Sequence, residues 1–412
     1  MIKVTKNKFA SWLLILLLFL TPISIYLKLE LELVIFFLFL SLPYWMNLIF
    51  RKNLNEDNNL NIFNLWIVYI GISLISTLIF QHHNIDSFRG IFYEISLTIA
   101  IYPIAALCDK KYFFITFRNL IFILGILSLI SQLIKWDPFF SLRARAMLTG
   151  IDTTSGGGIS SLFEYRHYYA MFLVFSLLIT YYYPSKKSEL INVIFIVVLL
   201  INLAMTYTRN AWIAFILLVF IILLKNKNNI HIFFKIKIKN LLLLLYTILI
   251  LLLVVILFKS QLQQILNNIM FRFQQVKSDN ELYGNASGVR GYVVTEGIKY
   301  ICENWQKYLW IGGGNGFALQ WLKNNPYGIT TIRWVAAIDV QYVTTIMNSG
   351  ILGIILLLLI LIRNIEFFIT QRNNLIFLIF IGYFIMFWFF DVIPFMSSVF
   401  VFWIIAICFE SN

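Results

Sequence analysis

Phe9–Leu27, FASWLLILLLFLTPISIYL, follows Lys3, Lys6 and Lys8 and carries no charged residue. A helix of that length reaches across the ~30 Å hydrocarbon core of a bilayer. It has the outline of a signal peptide. However, no small-residue cleavage site follows, and a second apolar run starts near residue 31, so it reads as a retained first membrane span. Further runs lie near 31–50, 62–80, 89–107, 117–134, 168–184, 190–206, 211–224, 240–258, 339–362, 375–390 and 394–409. The composition agrees. Of 412 residues, 60% are hydrophobic, 17% aromatic and 12% charged, with a mean hydropathy of +0.84. No water-soluble fold buries that much apolar surface, because the buried fraction saturates with size. A soluble enzyme, a disordered chain and a disulfide scaffold are excluded. The expected fold is an all-α integral membrane protein of about 12 spans.

The formal charge of +13 does not indicate a nucleic-acid partner, because Lys and Arg punctuate the apolar runs instead of gathering in a solvated domain. Short connections holding Lys3, Lys6, Lys8, Arg51, Lys52, Lys110, Lys111, Lys186 and Lys187 fall on one side. The positive-inside rule makes that side cytoplasmic and places both termini there, in a multi-pass protein of the cytoplasmic membrane. Two long connections, 135–167 and 259–338, then face outward. The chain divides into 1–134 (five spans), 135–258 (an outward loop and four spans), 259–338 (a large extracytoplasmic loop) and 339–412 (the C-terminal spans). Within the large loop, Gln261–Lys277 has amphipathic helical spacing, Val289–Trp305 reads as a helix, and Asn324–Gly328 as a turn.

Cys108, Cys302 and Cys408 lie far apart, and His82, His83, His167 and His231 form no HExxH, so no metal site is expected. There is no GxSxG elbow and no nucleotide phosphate loop. The triple glycines Gly156–Gly158 and Gly312–Gly314 read as turns. Mid-span ionisable groups are scarce, with Glu94 the main one, near an outer end. What stands out is a set of outward arginines: Arg143 and Arg145 in SLRARAMLTG, Arg166 beside His167 in FEYRHYYAMF, Arg209 in TYTRNAW and Arg290 in SGVRGYVV. Arg209 sits at the mouth between two apolar spans. A guanidinium held there is costly without an anion, and its planar fork fits phosphate oxygens in a way Lys cannot. The bland alternative is an interfacial arginine snorkelling to lipid headgroups.

TYTRNAWIAF resembles the Thr/Ser-Arg-small-Ala-Trp element of the O-antigen ligase and polymerase family. VRGYVVTEGIKY followed by WIGGGNGF is similar to that family's loop-helix arginine, Gly-rich turn and aromatic. DVQYVTTIMNSGILG, from Asp339 to Gly353, is similar to its His-Asn-x-Tyr element leading into a span. The likeness covers about 160–360. It implies a fold related to the C-type glycosyltransferases and a substrate of glycan on undecaprenyl diphosphate. It also implies cofactor- and metal-independent, inverting transfer to a sugar hydroxyl. On that resemblance Arg209 and Arg290 engage diphosphate, and Asp339 or His167 is the candidate base. Arg143, Arg145, Arg166, Gly313, Gly314 and Gly316 contact substrate, and a flippase and a chain-length regulator are candidate partners. Asp339 stands where the ligases carry histidine, although a helix-start aspartate is the plain alternative. That departure favours a polymerase joining repeat units into capsule, exopolysaccharide or O-antigen. The rivals are an O-antigen ligase and a lipid-linked oligosaccharide flippase or transporter. A transporter is expected to carry charged groups at mid-membrane and related halves.

Overall fold

The computed structural model describes residues 2–50, 62–134, 136–139, 159–185, 189–225, 288–325, 340–370, 375–388 and 397–410, and every regular element among them is helical. The first five helices are α1 (Ile2–Leu27), α2 (Glu30–Phe50), α3 (Ile62–Phe80), α4 (Ile85–Ala106) and α5 (Lys110–Ile134). They are followed by α6 (Arg166–Tyr182), α7 (Glu189–Met205) and α8 (Arg209–Lys225). Then come α9 (Gly288–Glu303), α10 (Trp305–Tyr308), α11 (Phe317–Asn324), α12 (Gln341–Thr370), α13 (Leu375–Phe387) and α14 (Ser398–Glu410). Eleven of the twelve apolar runs fall on α1–α8 and α12–α14, while 240–258 lies outside the described residues, as does Gln261–Lys277.

Among the described residues, Asn7–Leu27, Glu30–Ile49, Ile62–Phe80, Lys110–Gln132 and Gln341–Glu366 are long and apolar enough to cross a membrane. Glu189–Met205, Arg209–Leu224, Leu375–Phe387 and Ser398–Phe409 are apolar but shorter. Phe39, Leu42, Met46 and Ile49 of α2 and Ile216, Phe220 and Leu224 of α8 stand exposed, which suits lipid rather than water. The chain is a multi-pass membrane protein.

Lipid tails are as apolar as leucine, so packing and interhelical hydrogen bonds hold the bundle together. Phe113, Phe117, Phe172, Phe175, Phe402 and Phe409 are fully buried. Their edge-on contacts include Phe117–Phe172 at 5.6 Å and Phe113–Phe409 at 5.2 Å. Buried Asn202 of α7 ties three helices together. It accepts from the Tyr169 hydroxyl at 3.1 Å and donates to the Gly125 carbonyl at 3.1 Å.

Hydrogen bonds sort the helix ends. At one end, Asp109 N donates to the Asn7 carbonyl (3.2 Å), Lys110 Nζ to the Phe409 carbonyl, and Arg118 Nη1 to the Tyr183 carbonyl (2.6 Å). At the other end, the Tyr26 hydroxyl donates to the Leu162 carbonyl (3.1 Å) and Ile159 N to the Met205 carbonyl (3.1 Å). The starts of α1 and α5 thus meet the ends of α4, α6 and α14. The end of α1 meets the approach to α6 and the end of α7.

Candidate functional site

Helix α12 is broken at Gly350, where φ is 67° and ψ −166°. That region of backbone space is essentially reserved for glycine. The segment Leu309–Gly314 occupies the break. Gly313 N donates to the Met347 carbonyl (2.7 Å) and Gly314 N to the Asn348 carbonyl (3.0 Å), while Ile351 N and Leu352 N donate to the carbonyls of Leu309 (2.8 Å) and Trp310 (3.2 Å). Backbone groups freed at membrane depth must find partners inside the protein, and here a loop supplies them. The Ser76 hydroxyl of α3 donates to the Gly312 carbonyl (3.1 Å), and Asn315 N donates to the Thr77 hydroxyl (2.9 Å). The Asn348 side-chain oxygen accepts from Ala318 N at 2.9 Å, satisfying one of the orphan donors at the start of α11. The glycine-rich segment is therefore a turn locked into α12 and α3. The amides of Gly313 and Gly314 are committed there, and Gly316 faces a cavity.

That cavity, of about 670 Å³, opens between α3, α4, α11, α12, α13 and α14. Asn84 and Asp86 line it at the start of α4, and Gln320 and Lys323 line it from α11. Its inner wall carries Glu94, Trp66, Tyr69, Tyr383, Phe400 and Trp403. Sequence reasoning named Glu94 only as an ionisable group in a span. The signal it held was the helical spacing of Ser87, Gly90 and Glu94, which puts all three on one face of α4.

Arg209 is the first residue of α8, half-buried, behind a turn in which Tyr207 is held at φ 52°. A bulky residue with positive φ is strained, and such strain gathers at functional sites. The turn is pinned by the Thr206 hydroxyl and the Trp212 indole, both donating to the Leu203 carbonyl at 2.7 and 3.0 Å. Arg166 is the first residue of α6 and His167 the second, both half-buried, and α6 packs against α7 and α8. Arg166 and Arg209 thus open two neighbouring helices that run in the same direction. Two guanidinium groups add to two positive dipole ends, a field that attracts anions. Just before α6, buried Glu164 accepts from Ser398 N (3.0 Å) and from the Ser398 hydroxyl (2.9 Å), fixing the start of α14. Burial pushes the Glu164 carboxyl up to about 6, against the pull of those hydrogen bonds.

Arg290 lies in the first turn of α9, whose Gly297 packs against Val343 and Met347 of α12; its side chain is outside the described residues. Asp339, immediately before the buried Val340 that leads into α12, is outside them too, as are Arg143 and Arg145. In the described structure Arg166 and His167 lie in the first turn of α6 and Arg209 in that of α8, two helices that pack against each other. Gly313, Gly314 and Gly316 lie instead with α3, α11 and α12. Among the described residues no group of three or more His, Cys, Asp or Glu is placed to hold a metal ion.

No curated protein matches the chain. Residues 194–358 match a family model described as O-Antigen ligase, a segment running from within α7 through Arg209 and the glycine turn into α12. That similarity supports an assignment to the O-antigen ligase/polymerase family.

Proposed function

We propose that the protein is a polysaccharide polymerase. It joins undecaprenyl-diphosphate-linked oligosaccharide repeat units into capsular polysaccharide, exopolysaccharide or O-antigen at the outer face of the cytoplasmic membrane. The observation that carries this reading is Arg209 opening α8 beside Arg166 opening α6, within and next to the segment that matches the family. In the reaction an acceptor sugar hydroxyl attacks the anomeric carbon of the donor glycan from the face opposite the diphosphate. Its proton passes to a base, for which Asp339 and His167 are the candidates. The bond from the anomeric carbon to phosphate oxygen breaks, and the lipid diphosphate leaves with the electron pair. Charge grows on the diphosphate as it departs, so arginines fixed at that spot stabilise the transition state more than the ground state. Arg290 in the first turn of α9 is a further candidate for that role, and Arg143 and Arg145 for the glycan or the second lipid diphosphate.

The family description favours a second reading, transfer of finished glycan to a separate acceptor by a ligase. Asp339 in place of the ligase histidine argues for polymerisation. Analysis of lipid-linked intermediates in a deletion strain separates the readings. Single repeat units on the outer leaflet are expected. Full-length polymer left on undecaprenyl diphosphate means a ligase, and units held on the cytoplasmic leaflet mean a flippase.

A further inference from the structure

Ser87 and Glu94 project from one face of α4, two turns apart, onto the wall of the cavity bounded by α3, α11 and α12–α14. Ser87 is 3% exposed and Glu94 0% exposed. Neither the Ser87 hydroxyl nor either carboxyl oxygen of Glu94 has a hydrogen-bond partner among the described residues. An unpaired buried polar atom is costly to the fold, and a carboxylate more so. Several such atoms on one cavity wall mark a place where a ligand brings the missing donors and acceptors.

The rest of the wall says what kind of ligand. Trp66 stacks on Tyr69 at 5.2 Å and meets Trp403 edge-on at 6.3 Å, giving flat apolar faces against which the C–H face of a sugar ring packs. Gln341, Thr344 and Asn348 supply neutral hydrogen-bonding groups. Among the described residues no arginine lines the cavity, and Lys323 is its one cation, so it lacks the paired guanidinium groups that suit a diphosphate. Glu94 lies nine residues into α4, roughly 14 Å below its start, deep enough to take more than one ring. Helix α13 separates this cavity from the arginine-bearing helices. Its Gly382 abuts Phe175 of α6 and Leu218 of α8, while its Tyr383 and Phe387 face the cavity.

We infer that this cavity is a saccharide subsite that receives the acceptor glycan, whose hydroxyls hydrogen-bond to Glu94 and Ser87. The inference rests on the polymerase reading for the word acceptor and not for the word saccharide. It also assigns a role to α3 and α4, which lie outside the segment matched to the family. Glu94 is a binding residue here, and the base is a different group.

The test uses the purified full chain in lipid nanodiscs. The probe is the lipid-free repeat-unit oligosaccharide released from the cell's own glycan, titrated by tryptophan fluorescence. Saturable binding is expected, weakened at least ~10-fold in Glu94→Gln and in Ser87→Ala but by no more than about twofold in Arg209→Ala. With lipid-linked substrate, Glu94→Gln should raise the acceptor KM and leave kcat at saturation within about threefold. Wild-type affinity in both cavity variants, no binding by the wild type, or a lost kcat at unchanged KM would each overturn the inference. A melting temperature lowered by Glu94→Gln without any change in glycan affinity would overturn it too, as a purely structural role. Normal polymer from Arg209→Ala together with weakened glycan binding in Glu94→Gln would sink the diphosphate reading and leave the subsite standing.

Discussion

Gly350 in the break of α12 lies against Gly312 of the glycine turn so closely that a Cβ built on Gly350 would stand 2.6 Å from the Gly312 nitrogen. A Cβ on Gly312 would in turn stand 2.4 Å from the nitrogen of Ser349, the residue before Gly350. Both glycines have positive φ, 67° and 71°. The nearest neighbours of both are backbone atoms, which cannot swing aside as a side chain would. Gly350→Ala and Gly312→Ala should each destabilise the protein by at least about 2 kcal/mol, from strained φ plus the lost exchange of hydrogen bonds. Gly71 of α3 supplies the control, because nothing lies within 4 Å of its added Cβ. Gly71→Ala should be neutral or stabilise by up to ~1 kcal/mol. Melting temperatures of the three variants in one detergent check the set, and equal values would show that the break is not held by these contacts.

Glu164 gives the start of α14 a pH dependence. Its ordinary value is 4.5, and in the folded protein burial raises it to about 6. Between those values the folded state holds the proton that the unfolded state has released. Its contribution is therefore fully present below pH 4.5, declines as pH rises to 6, and is flat above. A gap of that size corresponds to about 2 kcal/mol for a fully buried group. Thermal melts across the range from pH 4 to 7 should show this slope in the wild type and its loss in Glu164→Gln, which keeps an acceptor for Ser398 but does not titrate.

The bundle was legible because a bilayer imposes a minimum length on every span, and a run such as Phe9–Leu27 shows that length directly. α9 was legible within a residue or two at each end, Gly288–Glu303 against an expected Val289–Trp305, because its periodicity is local. The break at Gly350 was not. Asn348–Gly353 reads as continuous apolar helix, and what stops it is a loop roughly 40 residues earlier in the chain. α11 escaped for a similar reason, since the Asn348 side chain that caps it is thirty residues away. Arg209 and Arg166 announced themselves as charges beside apolar runs. The cavity wall did not, because Ser87 and Glu94 acquire meaning only when α3, α11 and α12 close around them.

The base has two candidates on different elements, Asp339 ahead of α12 and His167 in the first turn of α6. Removing a positioned general base costs typically 10²–10⁴ in rate, whereas removing a helix-start aspartate costs about 1 kcal/mol of stability. Asp339→Asn should therefore lower turnover of lipid-linked repeat units at least ~100-fold with the melting temperature nearly unchanged. A drop of that size in His167→Ala instead, with Asp339→Asn active, transfers the role to the histidine.

Arg209 offers the most direct test of the chemistry. As the first residue of α8 it stands at the positive pole of a helix, where an anion is favourably bound. It is half-buried and starts its helix directly behind the strained Tyr207 turn. Removing one preorganised group facing a developing charge costs roughly 10²–10³ in rate. Arg209→Ala should therefore abolish visible polymer while protein level and membrane insertion stay normal, and single lipid-linked repeat units should accumulate. Arg209→Lys keeps the charge but loses the planar fork that meets two phosphate oxygens at once, so it should rescue poorly. Immunoblots of membranes beside polymer gels read both variants. Polymer from Arg209→Ala at the wild-type level would show that the diphosphate leaves without this arginine, and full rescue by lysine would reduce its part to that of a point charge.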